Sequence, residues 1–285
     1  MMRFILIIFL CFSVSLTYSL PEIEEVISGE ADIQYPDSTT LQIDAGASTI
    51  INYKSFNINE NERVLVNLPS TDSQILNRVL GTDPSRLLGS LLCNGIFILV
   101  NESGIYTGSN AKIEAAGLVF STRDITDSNF LDGKYLFEKL SSARQDMLLI
   151  NNGTIEVEEG GFGVLIAGGI ENNGMIIAPA SKVVLAGGDA VELDISGNGL
   201  ISVAIKEEAA SQIYDYEGNS ITDQIKNTGI IEADGGTVLI KAENLTDIFS
   251  NVINLEGHVR ANRIETINGV VRLVSDGDVR LAGKI

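Results

Sequence analysis

The stretch NGTIEVEEGGFGVLIAGGIENNGMII, residues 152–177, decides how this chain reads. It opens on Asn152-Gly153-Thr154-Ile155, crosses an acidic link to Gly160-Gly161, and runs into Gly163-Val164-Leu165-Ile166 before Asn173-Gly174-Met175-Ile176-Ile177 begins the phrase again. Working outward, Lys182-Val183-Val184-Leu185 is followed by Gly187-Gly188, and Asn198-Gly199-Leu200-Ile201 reads as the next opening. A later copy is Asn227-Thr228-Gly229-Ile230-Ile231 with Gly235-Gly236-Thr237-Val238-Leu239-Ile240, and Asn268-Gly269-Val270-Val271 reads as one more. The period is about two dozen residues, a length that belongs to solenoids and repeat arrays. Each apolar segment is short, rich in Val and Ile, and bounded by Gly and Asn, which is strand chemistry with turns that need positive φ. One such unit cannot bury its apolar face alone, so successive coils must stack. The expected fold is all-β, a β-solenoid of the parallel β-helix kind. A β-sandwich would want hairpins at shorter, regular spacing instead.

Two departures from the repeat are expected. Lys206 to Lys226 interrupts it and should lie outside the coil, with a short helix at Glu207–Gln212 because Ala209 and Ala210 favour helix. At the other end, Met1 to Ser19 carries Arg3 and then an apolar run from Phe4 to Phe12, too short to span a bilayer and followed by Pro21. Residues 1–19 therefore read as a secretory signal peptide, cleaved near Ser19 and leaving no transmembrane span. Its removal takes away Cys11, so Cys93 has no disulfide partner within the chain and is expected in the core.

Composition excludes several classes of function. The 285 residues hold 19 Lys and Arg against 38 Asp and Glu, a formal net charge of −19 that gives nucleic acid no electrostatic purchase. A hydrophobic fraction of 45% rules out a disordered chain. The single histidine, His258, cannot assemble the usual multi-histidine zinc site, and no phosphate-binding glycine loop is present. β-Helices also host carbohydrate-active enzymes, whose chemistry needs a catalytic carboxylate pair. Asp189 with Asp194, Asp276 with Asp278, and Glu158 with Glu159 are the candidates, each read more simply as solvated acids of an acidic protein. The expectation is no catalytic residue, no metal and no cofactor. Glycosylation sequons occur at Asn101, Asn152 and Asn244.

The N-terminal half carries a resemblance. Ile51-Asn52-Tyr53-Lys54-Ser55-Phe56-Asn57-Ile58 is followed by Leu76-Asn77-Arg78-Val79 and Ser85-Arg86-Leu87-Leu88-Gly89. Next come Asn94-Gly95-Ile96-Phe97-Ile98-Leu99-Val100, then Asn101-Glu102-Ser103-Gly104-Ile105, Gly117-Leu118-Val119-Phe120-Ser121-Thr122-Arg123-Asp124-Ile125 and Phe130-Leu131. These blocks, in this order, resemble the filamentous haemagglutinin N-terminal domain, the secretion domain of two-partner-secretion exoproteins of Gram-negative bacteria. The resemblance is clearest over residues 30–245 and includes the Gly-Gly-Asp-Ala-Val-Glu-Leu phrase from Gly187. It implies a right-handed parallel β-helix with an N-terminal cap and short extra-helical insertions, filling residues 20–285. It also implies export through the periplasm and recognition by an outer-membrane Omp85-type β-barrel transporter with POTRA domains. The protein would end secreted or at the cell surface, commonly as an adhesin for a host or neighbouring-cell ligand.

The family block Asn-Pro-Asn-Gly-Ile stands here as Asn101-Glu102-Ser103-Gly104-Ile105, keeping Asn101, Gly104 and Ile105. Asn77, Arg78 and Val79 match a second block unchanged, and with Asn94 and Gly95 these residues are the motif positions expected to matter for transporter recognition. A carbohydrate-active β-helix enzyme and a self-assembling structural solenoid are the alternative functions. The stop after Val279-Arg280-Leu281 leaves two readings open: a piece of a longer solenoid, or a last coil whose edge is blunted by Arg272, Arg280 and Lys284.

Overall fold

Three stacks of parallel strands wind up the chain in a computed structural model that describes residues 20–140, 145–196, 200–245, 248–261, 270–275 and 279–283. The first stack, here the alternating face, runs through Thr40–Ala45, Arg63–Asn67, the first parts of Ser90–Val100, Lys112–Ser121 and Thr154–Ala167, then Met175–Ile177, Ile230–Glu232 and His258–Arg260. The second, the covered face, runs through Ser48–Ser55, Gln74–Val79, the second parts of the same three long strands, Lys182–Gly187, Thr237–Ala242 and Val270–Ser275. The short face stacks Ser85–Leu87, Ile105–Thr107, Leu149–Asn151, Ile170–Asn172, Asp223–Asn227, Asn251–Leu255 and Val279–Leu281. The fold is the expected right-handed parallel β-helix.

Register explains why it holds. Leu41, Val64, Leu91, Ile113, Ile155, Ile176, Ile231 and Val259 sit directly over one another on the alternating face and all point inward, nearly or fully buried. Each buried aliphatic side chain contributes about 1.5–3 kcal/mol. Slipping by one residue would turn the whole row to solvent, so burial itself sets the register. Cys93 lies in this core as expected, and burial pushes its thiol up to about 11.

The covered face is apolar on both sides, which is why its strands read as unbroken runs such as Val164-Leu165-Ile166. Its outer side is roofed by two excursions from the coil. The first leaves after Ser121 and forms a helix, Asp127–Leu131, capped by the Thr126 hydroxyl accepting from the Asn129 amide, then the strand Tyr135–Glu138. The second leaves after Gly187 and forms Ala190–Ser196 and Leu200–Glu207. Tyr135–Glu138, Ala190–Ser196 and Leu200–Glu207 make one antiparallel sheet, whose Phe137, Val191 and Leu193, with helical Phe130, pack on Leu76, Ile98, Val119 and Val184. At the N-terminal end, Glu22–Ser28 and Ala31–Asp37 pair antiparallel with the first coil and cover its open edges, the expected cap.

Several expectations are corrected. No helix forms at Glu207–Gln212: Glu207 ends a strand, Ala209 is fully buried and bridges to Asn244, and the Ala210 amide donates to Asp189. Tertiary partners for these backbone groups override helix propensity. The second excursion begins near residue 188 rather than at Lys206, and Lys226 is back on the short face. Leu200-Ile201 does not begin a new coil, because Leu200–Glu207 pairs antiparallel with Ala190–Ser196; Asn198-Gly199 lies outside the described residues. Val270 belongs to the covered face, not to a coil opening, and the coil that follows Ile230 opens at Leu255-Glu256-Gly257-His258 instead. Residues 1–19, Asn268-Gly269, Asp276, Asp278 and Lys284 lie outside the described residues.

Candidate functional site

The strand Gln74–Val79 and two corners of the coil hold the motif residues, and all of them except the exposed Asn94 are buried. Along Gln74–Val79 side chains alternate inward and outward. Asn77 points in, fully buried in a row otherwise made of Ile51, Leu99, Phe120 and Leu165. Its amide survives there because its oxygen accepts from the Tyr53 hydroxyl at 2.9 Å and its nitrogen donates to the Ile98 carbonyl at 3.1 Å. Val79 also points inward. Arg78 points outward and ties the covered face to the first excursion. It donates to Asp124 at 2.8 Å, to Asp127 at 2.7 Å and to the Ile125 carbonyl.

Asn101-Glu102-Ser103-Gly104 is a turn between the covered and short faces. The Gly104 amide donates to the Asn101 carbonyl at 3.0 Å, and the Ser103 amide to the Asn101 side-chain oxygen at 2.9 Å. Gly104 has φ +107 while Ser103 stays out of the left-handed region, which fits a type I turn with Asn first and Gly last. The two middle positions of such a turn accept most residues, so Glu102 and Ser103 replace the family's Pro-Asn without loss of shape. The Asn101 nitrogen also donates to the Asp83 carbonyl at 3.1 Å and the Ser85 hydroxyl at 3.0 Å, and Asn101 is fully buried. Ile105, next along, enters the core.

From the second excursion Tyr216 closes over this turn. A Cβ on Gly104 would meet the Tyr216 hydroxyl at 2.8 Å, and that hydroxyl donates to the Leu148 carbonyl at 3.1 Å. The Tyr216 ring meets Tyr106 edge-on at 5.6 Å, with the Arg86 guanidinium 5.8 Å from its centre. Burial raises the Tyr216 hydroxyl well above the ordinary tyrosine value, so it stays protonated and a donor.

Asn94 and Gly95 turn the corner from the alternating to the covered face. The Asn94 side chain accepts from the Leu68 amide at 2.7 Å and donates to the Leu68 carbonyl at 2.8 Å, standing in for a strand partner. A Cβ on Gly95 would meet the Ser73 carbonyl at 2.6 Å. Every motif position is thus committed to folding the coil.

Sequence reasoning missed two constellations. One is a ladder on the short face: the Asn151 amide donates to Asn172 at 2.7 Å and the Asn172 amide to Asn227 at 2.6 Å, all three fully buried. The repeat is therefore Asn-x-Gly rather than Asn-Gly. Gly174 stacks on the Gly153 carbonyl so closely that no Cβ fits. The other is a buried ionic cluster between the excursions. Arg123 grips Asp146 through both oxygens at 2.9 and 2.8 Å and reaches Asp189 at 2.9 Å, while Lys139 adds a contact to Asp146 at 2.8 Å. Burial alone would raise the Asp146 carboxyl, but Arg123 and Lys139 outweigh it and hold it below the usual carboxylate value.

The candidate carboxylates resolve accordingly. Asp189 is bound up with Arg123, Asp194 is exposed on a strand of the roof, and Glu158 and Glu159 sit exposed at the corner of Thr154–Ala167. His258 is exposed on the alternating face. Among the described residues no three His, Cys, Asp or Glu side chains are grouped to hold a metal ion. The buried amides of Asn101 and Asn244 are used internally, Asn244 donating to Gln224 at 3.1 Å, which leaves neither sequon open to a glycan in the folded state.

The TPS secretion domain family matches residues 24–285. The chain belongs to that family. Among curated proteins, two heme/hemopexin-binding proteins of Haemophilus influenzae resemble this secretion domain. One is 28% identical over 271 residues, covering 93% of this chain, and the other 24% identical over 274 residues, covering 91%. The chain spans less than a third of either relative, 28% and 29% of their lengths. Among solved structures, the HMW1 secretion domain from Haemophilus influenzae superposes with a TM-score of 0.78 at 27% identity, over 92% of this chain and 65% of that one. Proteins with TPS domains are secreted exoproteins exported through an outer-membrane transporter.

Proposed function

We propose that residues 20–285 are read, before they fold, by an Omp85-type outer-membrane barrel through its periplasmic POTRA domains, and that residues 1–19 are the cleaved signal that delivers the chain to the periplasm. Burial of the motif, Asn94 excepted, carries this reading. Asn77, Asn101 and Ile105 are wholly inside the folded coil, and Gly104 lies under Tyr216. A transporter engages Asn77, Arg78, Val79, Asn94, Gly95, Asn101, Gly104 and Ile105 only in the extended chain, and the same residues then shape the coil outside. A solenoid supports this order of events because each coil stacks on the one before it. Outside the cell the β-helix is displayed for adhesion to a host or neighbouring cell, and this domain performs no catalysis of its own. A second use, capture of haem or a haem carrier, is favoured by the names of the Haemophilus relatives.

The test is secretion of the chain with and without its barrel transporter, followed by N-terminal sequencing. Transporter-dependent release of a product starting near Leu20 is expected, lost in Asn101→Ala and Asn77→Ala. Release without any transporter, or periplasmic retention with one, would overturn the proposal.

A further inference from the structure

Arg123 heads the fully buried side chains by size among the described residues. Its neighbours come from distant parts of the chain. Asp146 lies 23 residues later, the Gly188 carbonyl, which accepts from Nε at 2.9 Å, 65 later, and Asp189 66 later. Lys139 bridges outward, donating to Asp146 at 2.8 Å and to Ser211 at 2.6 Å, while the Lys139 amide donates to the Asp189 carbonyl at 2.8 Å. Asp189 also accepts from the Ala210 amide at 3.1 Å. The intervening coil makes room for the guanidinium, since a Cβ on Gly168 would collide with it. Both excursions and three levels of the coil thus converge on one cation.

Burying a guanidinium before its carboxylates are in place is strongly unfavourable. In a chain that becomes available from its N-terminus, the strands from Thr40 through Ser121 can stack without Arg123's partners, because neither Asp146, Gly188 nor Asp189 belongs to their paired rows. The roof is different. Among the described residues Tyr135–Glu138 pairs along its length only with Ala190–Ser196, which arrives with Asp189, and before that has just the single bridge from Glu138 to Asp124.

We propose that Arg123 is a positioning residue for export coupled to folding: a latch that stays open while the first coils stack and closes when Gly188 and Asp189 arrive, joining the two excursions over the covered face in a second cooperative stage. Its place in export rests on the secretion reading; the order of folding does not.

Pulse-labelling hydrogen exchange during refolding of the mature chain tests it. Amides of Gln74–Val79 and Lys112–Ser121 gain protection in an early phase, those of Tyr135–Glu138 and Ala190–Ser196 in a later one. Asp189→Asn leaves the early phase unchanged and slows the later one about tenfold. A variant with Arg123→Met, Lys139→Met, Asp146→Leu and Asp189→Leu, which removes both charge pairs together, speeds the later phase toward the early one. A single phase in the natural chain, equal slowing of both phases by Asp189→Asn, or an unchanged lag in the apolar variant would overturn the latch. With the transporter present, Asp189→Asn lowers release about fivefold relative to the natural chain. Undiminished release alongside a slowed later phase would overturn the role in export. No release of the natural chain would fault the secretion reading and leave the folding result standing.

Discussion

Arg78 and Arg123 both stand where the covered face meets its roof, and both gather two aspartates, yet their surroundings have opposite electrostatics. Around Arg78 one cation serves Asp124 and Asp127, and the Asp127 side chain is 43% exposed. Around Arg123 two cations, Arg123 and Lys139, serve Asp146 and Asp189, with Arg123 and Asp146 only 1% and 2% exposed. The count of charges decides the outcome. Burial raises the Asp124 carboxyl above its ordinary value, with Asp127 adding repulsion and Arg78 compensating in part. Asp146 suffers the same burial but ends below its ordinary value, because two cations face it. A buried carboxylate next to an arginine is therefore stabilised as an anion only when the local charges balance.

The largest expected effect is at the deeper cluster. Arg123→Ala leaves two aspartates buried with only Lys139 and should cost about 3–5 kcal/mol in urea unfolding; a loss under about 1 kcal/mol would erase the difference in burial on which the contrast stands. Asp146→Asn, isosteric but neutral, should cost about 2–3 kcal/mol, since it strips charge from the hydrogen bonds of both Arg123 and Lys139. Arg78→Ala should cost less, about 1–2 kcal/mol, because water reaches Asp127; unfolding midpoints that rank it above Arg123→Ala would reverse the reading of the two sites.

The smallest and sharpest effects concern sign. Asp124→Asn should change stability by less than about 0.5 kcal/mol, as Arg78 keeps Asp127 and the site already favours a neutral group. In pH titrations of stability, the contribution of Asp146 is present above its unfolded value of 3.8 and is lost as pH falls through the lower folded value. Asp124 acts oppositely: its folded value is raised, so acidification toward 3.8 from above adds stability, and that gain vanishes as pH rises through the folded value. Asp146→Asn should flatten the acid limb below 3.8, and Asp124→Asn should remove the gain just above it. Parallel shifts in the two variants would sink the charge-balance account.

Much of the coil was legible because repetition writes the same physics many times. Val164, Leu165 and Ile166 announced a strand buried on both sides, and Gly229 and Gly174 announced corners. The phrase ending in Leu200-Ile201 misled because Leu200–Glu207 pairs antiparallel with Ala190–Ser196 instead of stacking in the coil, and only strand pairing tells the two apart. Of the site, Arg78 was visible through its motif block, whereas Arg123 lies in the stretch Gly117–Ile125 without any sign of its partners. Asp146 and Asp189 lie 23 and 66 residues away, with no periodicity to connect them.

By itself the sequence determined the coil: a β-branched row repeated at a fixed period, with glycine and asparagine at its corners, has one economical way to bury its apolar face, by stacking like on like. Tertiary structure alone decided where the chain leaves the coil, how Tyr135–Glu138 and Ala190–Ser196 meet in one roof, and which aspartates neutralise Arg123. The reason is the range of the forces involved. Stacking is local in the repeat and recurs in the text, while a buried ion cluster is a single event that exists only once distant segments have come together in low dielectric.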